Sequence, residues 1–467
     1  MGLKSVFRSH FTAWTLAVVL VLAAVLRLYH LEHQSLWIDE IASMLGASPE
    51  QTWTNMMLYS RNDQPPAFFV LLHYWFKLFP FNDFSGRLMS VVVGLTSIIA
   101  IFFLGKEVRD NRTGLIASFI TSFSYIHILF SQEVRFYTVV FLFSTLSYLF
   151  FIRATRTTRI SDFLLYIFST TVLLYSHYFG LVAFASQGII FCLLLIFYPV
   201  NRRMIIFSVF SAIAVIVLII PWIPIFFADA GTKAFWIQPE PFYFLLNYFY
   251  VYFKDVLSCF VFASLLIYYF IHLYRRFISK RSVEPVDLIL VGSTFFSFLI
   301  PIVYSIIQTP MLQARYLLIA LPSIIIMISL GFSLVKIQWQ RIMLIATFCT
   351  SLISLVVIEQ YYTRVQKEDW RGLITNVIQK GATSDVVISS QAWYCNYYFN
   401  VFHSKYHAFL PTEISVAKEQ PPGVWWLDGF SVNTLPDTVE INLMKNGYRH
   451  VRTDSLYRTR ASYYHLP

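Results

Sequence analysis

Long apolar runs separated by short polar connections fill the chain up to about residue 359. A membrane-spanning helix needs roughly 20 predominantly apolar residues. About eleven segments approach that length, near residues 11–30, 86–105, 113–130, 134–152, 161–176, 178–199, 204–227, 256–274, 286–307, 314–335 and 342–359. The first, preceded by Lys4 and Arg8, lacks a clean small-residue cleavage site before Arg27 and reads as an uncleaved span. Pro65 to Phe79 is apolar but short and is closed by Pro80; counted as a span it would invert every later segment. It predicts an interfacial helix instead, with Pro65 and Pro66 at its start, where a missing backbone donor costs little. Phe242 to Phe253 predicts a second.

Beyond residue 359 the pattern changes, because charges, glycines and turn residues return. Asp369 suits the cap of a helix ending at Gly381, and Asp385–Ser389 and Val424–Leu427 read as strands. Asp437 with Glu440 makes a capping box for a helix stopping at Gly447, and Tyr448–Thr453 reads as a last strand. The expected architecture is a polytopic α-helical membrane domain, residues 1–359, with its first outer loop at 31–85. A small exported α/β domain follows over 360–467, acting as a scaffold or an acceptor-side lid.

Composition agrees: 57% of the residues are hydrophobic and only 13% charged, far from the soluble average of about 25% charged. The net charge of +10 does not indicate nucleic acid, since the basic residues sit in short clusters between apolar runs. Those clusters occupy alternate connections, at Lys106–Arg112, Arg153–Arg159, Arg202–Arg203, Arg275–Arg281 and Lys336–Arg341, which predicts a cytoplasmic N-terminus and an exported C-terminus. Cys192, Cys259, Cys349 and Cys395 form neither a disulfide framework nor a metal-binding spacing.

With this topology the unusual polar residues fall on the outer side. Asp39 and Glu40 lie in the first outer loop, on an expected short amphipathic helix continued by Ile41 and Leu45. Successive helical residues point about 100° apart, so one carboxylate suits a general base and the other a structural or metal-side partner. The run Ser131–Tyr137 (SQEVRFY) puts Gln132, Glu133, Arg135 and Tyr137 at the next outer turn. There Arg135 can grip a phosphate bidentately, unless Glu133 pairs with it internally to fix the turn. His177 and Tyr178, Lys233 and Lys254, and Arg315 with Tyr316 mark the remaining outer turns. Ionisable groups beside a bilayer are functional candidates, against the plainer reading that they anchor helix ends. His30 and His33, with Glu32 between them and Asp39 nearby, would also suit a divalent metal, and spacing does not decide the matter.

The order of these motifs resembles that of the GT-C membrane glycosyltransferases. It runs from a first span ending in Arg27 through Asp39-Glu40, Gln64-Pro65-Pro66, Arg87 and SQEVRFY to His177-Tyr178-Phe179-Gly180 and Arg315-Tyr316-Leu317. The nearest branch holds the protein O-mannosyltransferases and the lipid A aminoarabinose transferases. The resemblance implies inverting transfer of a sugar from a polyprenyl-phosphate carrier to a lipid, glycan or protein acceptor at the outer face of a bacterial inner membrane. It implies Asp39 as general base with Glu40 beside it, and Arg135 and Arg315 either near the donor phosphate or in the fold of the site. Many relatives carry His where this chain has Gln64, and the lectin-like repeats of eukaryotic protein mannosyltransferases are missing, so sugar and acceptor stay open. The competing class is a transporter or lipid flippase, but the span centres are almost free of charge and no internal repeat is evident.

Overall fold

The computed structural model describes residues 3–62, 64–225, 237–279, 283–413, 420–429 and 438–467. Among them, eight helices are long and apolar enough to cross a membrane: His10–Leu28, Asp83–Val108, Tyr137–Thr157, Phe179–Phe197, Arg202–Ile225, Val256–Ile278, Pro285–Ile307 and Ile337–Ile358. The chain is a polytopic membrane protein. The other three expected spans are present as helices of a different kind. Asn111–Phe123 and Tyr125–Ser131 are two helices with a 65° bend between them, a broken span or a re-entrant loop. The break falls at Ser124, whose backbone is extended and whose hydroxyl bonds the Tyr252 carbonyl instead. Ile160–Leu174 has 15 residues, and Leu321–Ser333 has 13 behind a short 3-10 turn. Leu321 to Phe332 are buried on every side, so the apolarity of that segment is that of a central core helix.

Short polar caps set where the helices begin. Asn82, Asp110 and Asp255 accept from the amides of Ser85, Thr113 and Ser258, satisfying N–H groups that a helix start leaves open. The Asp83–Val108 and Asn111–Phe123 helices meet on glycine: a Cβ on Gly114 would stand 2.4 Å from the Phe102 carbonyl. The two expected surface helices form as Ala67–Leu78 and Phe244–Phe253. The first is fixed to the bundle end by the Ala67 amide on the Tyr175 carbonyl, 2.8 Å. A helix at Trp53–Asn62 was not expected.

The C-terminal domain carries a five-stranded sheet in the order β2-β1-β3-β5-β4. Its strands are β1 (Val386–Ser389), β2 (Ala408–Phe409), β3 (Gly423–Gly429), β4 (Arg449–Leu456) and β5 (Thr459–His465). β1 runs parallel to β2 and β3, while β5 is antiparallel to β3 and β4. Asp369 caps the Trp370–Lys380 helix through the Gly372 amide, and Gly381 follows its end. The Thr438–Lys445 helix stops before Gly447, which has φ +90; Asp437, its expected cap, lies outside the described residues. β2, β5 and the Ala392–Val401 helix were not expected. That helix packs Tyr394, Tyr397 and Tyr398 toward the membrane domain.

Candidate active site

Asp39, Arg135, Tyr137, His177, Arg315 and Tyr316 converge at the end of the bundle that the C-terminal domain covers. The carboxylate helix, Ile38–Gly46, lies there, and it sends its two acids in different directions. Glu40 is fully buried. It accepts from Arg87 through Nε at 3.1 Å and a terminal nitrogen at 3.2 Å, from Lys367 Nζ at 2.7 Å, and from the Val134 amide at 3.0 Å. Burial alone would push its carboxyl up, but the Arg87 guanidinium and the Lys367 ammonium outweigh it and hold the group well below the usual carboxylate range. Asp39 keeps about a third of its side chain exposed and meets Arg135 in one ion pair of 3.7 Å.

Arg87 also fixes the loop that delivers this helix, since its remaining N–H groups donate to the carbonyls of Leu31, Gln34 and Ser35. Arg135 is buried; it donates to the Asp39 carbonyl (3.0 Å) and the Ser43 hydroxyl (3.2 Å) and lies over the Phe136 ring. The internal Glu133–Arg135 pair weighed as a turn-fixing contact does not form, because Glu133 turns to Lys367 at 3.1 Å while Arg135 turns to Asp39. Burial and the nearby Glu40 push the Glu133 carboxyl up despite Lys367.

His177 sits between the Phe136 and Tyr316 rings. Burial first, then Arg135 and Arg315, hold its imidazole down at about 3, so it is neutral. Its Nδ1 accepts the Phe179 amide, which leaves the proton on Nε2. That N–H is buried without a partner among the described residues, as is Gln64 Oε1. Arg315 lies against Tyr316 and close enough to Asp39 and Arg135 to feel both charges. Tyr137 lies between the tilted rings of Phe130 and Phe136, and Tyr178 packs at the nearby wall formed with Trp222 and Leu174.

Gln132 braces rather than faces this cluster, giving its amide to the carbonyls of Arg27 and Tyr29. Arg27 is itself wholly buried and held by neutral groups, among them the Ser122 carbonyl and His127 Nδ1. Lys254 pairs with Glu359 away from Asp39, and Lys233 lies outside the described residues. His30 and His33 bond the carbonyls of Tyr362 and Thr363. Among the described residues no group of three His, Cys, Asp or Glu side chains could hold a metal ion.

Sequence reasoning missed the contribution of the C-terminal domain. Lys367 reaches Glu40 and Glu133, Arg371 bonds the carbonyls of Glu32 and His33, and Tyr397 bonds Asp83. The available signal was the charged run Arg364–Arg371, which leaves the last apolar segment on the same side as Asp39. A cavity of about 450 Å³ lies between the domain and the bundle, with Trp37, Glu133, Tyr362, Lys367 and Glu368 in its wall. That size suits a small-molecule group.

Residues 63–225 match the family described as dolichyl-phosphate-mannose-protein mannosyltransferase. No curated protein sequence matches. Among solved structures, ArnT from Cupriavidus metallidurans, both in the apo state and bound to undecaprenyl phosphate, is similar with a TM-score of 0.66 at 11% identity. The apo match covers 98% of each chain. The Archaeoglobus fulgidus oligosaccharyltransferase in its apo form gives 0.57 at 11% identity, over 91% of this chain and 70% of that one. The arabinofuranosyltransferase AftD from Mycobacteria gives 0.54 at 11% identity, over 98% of this chain and 40% of that one. At such identities the likeness establishes the fold, which is the GT-C fold expected from the order of motifs.

Proposed function

We propose that this chain, a glycosyltransferase by its family match and its GT-C fold, moves a sugar from a polyprenyl-phosphate carrier to an acceptor on the exported side of a bacterial inner membrane, with inversion. The observation that carries the reading is the different fate of the two neighbouring carboxylates. Glu40 has no accessible face and already accepts from four residues, Arg87, Lys367 and the amides of Val134 and Trp37, whereas Asp39 is accessible and touches a guanidinium at 3.7 Å. Only Asp39 retains free acceptor capacity for a hydroxyl.

The acceptor O–H gives its proton to Asp39 as its oxygen bonds the anomeric carbon. The bond from that carbon to the phosphate oxygen breaks, and the electron pair leaves with the polyprenyl phosphate. A phosphate leaving group needs positive charge more than it needs an acid. Arg135, Arg315 and the unpartnered Nε2–H of His177 are the groups that would meet it. The ArnT structure bound to undecaprenyl phosphate supports a carrier of this kind.

The proposed orientation rests on the opposite end of the bundle, where Arg109, Arg112, Arg153, Arg156 and Arg276 gather beside Ser333, Gln340, Asp162, Glu107 and Glu284. Arginine-rich short loops mark a cytoplasmic face. The site and the C-terminal domain, residues 360–467, then face outward. Purified protein in vesicles holding a labelled polyprenyl-phosphate sugar is expected to move label onto a glycan, lipid or peptide acceptor supplied with it. Movement of intact donor across the bilayer with no new glycosidic bond would replace this reading with that of a flippase.

A further inference from the structure

The loop before the carboxylate helix is gripped by the C-terminal domain. Arg371 holds the carbonyls of Glu32 and His33 at 2.6 and 2.9 Å. The amides of Gln366 and Lys367 both donate to Gln34 Oε1. The Tyr398 hydroxyl accepts the Leu36 amide at 2.8 Å, and the Tyr394 hydroxyl donates to the Leu36 carbonyl. Beyond this loop, the Lys367 ammonium reaches the helix itself, 2.7 Å from Glu40.

That ammonium lies between two segments of the site. Glu40 is the residue after Asp39, and Glu133, 3.1 Å from the same nitrogen, lies two residues before Arg135. One cation therefore bridges the helix bearing the carboxylate and the turn bearing its guanidinium, beside the direct bonds from the Val134 amide to Glu40 and from Arg135 to the Asp39 carbonyl and the Ser43 hydroxyl. Without it, two buried carboxylates that share one nitrogen would face each other, with Arg87 on the Glu40 side. Buried like charges repel strongly because little water screens them. The Val134 amide on Glu40 and the Arg135 bonds to the Asp39 carbonyl and the Ser43 hydroxyl would still join the helix to the turn, so the strain shifts the Asp39 carboxylate against the Arg135 guanidinium without parting the two segments.

We infer that Lys367 is a positioning residue for glycosyl transfer, the latch through which the C-terminal domain sets Asp39 and Arg135 against a common reacting centre. The inference rests on Asp39 being the base. It makes the exported domain part of the catalytic geometry and not a passive cover.

The test is Lys367→Met in the full-length protein reconstituted with a labelled polyprenyl-phosphate sugar. The expected result is a kcat about 10- to 100-fold lower with the donor KM within about threefold of the parent, since misplacing reacting groups by about an ångström costs on that order. Adding Glu133→Gln removes the facing charge, so Lys367→Met/Glu133→Gln is expected to recover at least about a third of the parental kcat. Lys367→Arg keeps the cation and is expected to stay within about tenfold. A side chain that merely aids folding would show no such recovery. The inference is overturned if Lys367→Met turns over within twofold of the parent, or if the double variant binds donor yet is no faster than Lys367→Met. Should Lys367→Met fail to fold, a folded double variant with low kcat overturns it equally. Transfer surviving Asp39→Asn would instead overturn the reading of the base, so the two failures are distinguishable.

Discussion

Replacing Arg87 by Met tests whether one buried guanidinium builds the loop that presents Asp39. Arg87 is 2% exposed and makes five hydrogen bonds, two to the Glu40 carboxylate and three to the carbonyls of Leu31, Gln34 and Ser35. Methionine fills much the same stem but supplies no donor. Removing one partner of a buried ion pair costs about 3–5 kcal/mol, and each carbonyl left without a donor about 1–3 kcal/mol. Lys367 still neutralises Glu40 and the adjoining cavity admits water to the carbonyls, so a net loss of about 4 kcal/mol is expected. At 1.4 kcal/mol per factor of ten, that is enough to leave the loop set correctly in a small minority of molecules. Turnover on a labelled polyprenyl-phosphate sugar is expected to fall about 100-fold or more, and the detergent-solubilised protein to melt several degrees lower. Lysine at the same position should restore less than half of the loss, because a point charge cannot span four acceptors as a planar fork does. Parental melting together with parental turnover in Arg87→Met would refute the reasoning.

Two further outcomes follow from the same contacts. The folded protein holds the His177 imidazole at about 3 against an ordinary 6.5, so below pH 6.5 only the unfolded chain takes up the proton and stability drops as the pH falls toward 3. Thermal unfolding between pH 7 and 5 should therefore lose more stability for the parent than for His177→Gln, and identical slopes would contradict the assignment of a buried neutral histidine. Tyr398→Phe removes a hydroxyl bonded to the Leu36 amide and the Ser35 hydroxyl; a loss of about 1–3 kcal/mol and faster amide exchange at Leu36 are expected, and unchanged exchange there would show that the domain does not restrain this loop.

The membrane architecture was legible because apolar runs and basic clusters are local signals. Eight spans stand where the runs place them. The bend in the third apolar segment was not legible, because it falls at Ser124, whose hydroxyl bonds the carbonyl of Tyr252, 128 residues away. Asp39, Arg135, His177 and Arg315, which the structure brings near one another, were legible as candidates through their position at helix ends. What could not be read was which carboxylate would be buried, because that depends on Lys367, 327 residues beyond Glu40. The Ala392–Val401 helix escaped notice for a related reason. Its aromatic run has no clear helical stripe, since Tyr394 and Tyr398 are buried by contact with the loop at Ser35 and Leu36.

The central claim is that Asp39 takes the acceptor proton in a glycosyl transfer. Single-turnover transfer by Asp39→Asn, with donor affinity measured on the same preparation, tests it most directly. General-base catalysis contributes about 10²–10⁴ in rate, so transfer should fall by at least about 100-fold. The donor dissociation constant should change by no more than a few-fold, because asparagine keeps the shape of the site and leaves Arg135 and Arg315 in place. Transfer within tenfold of the parent, with the donor bound normally, would contradict the account.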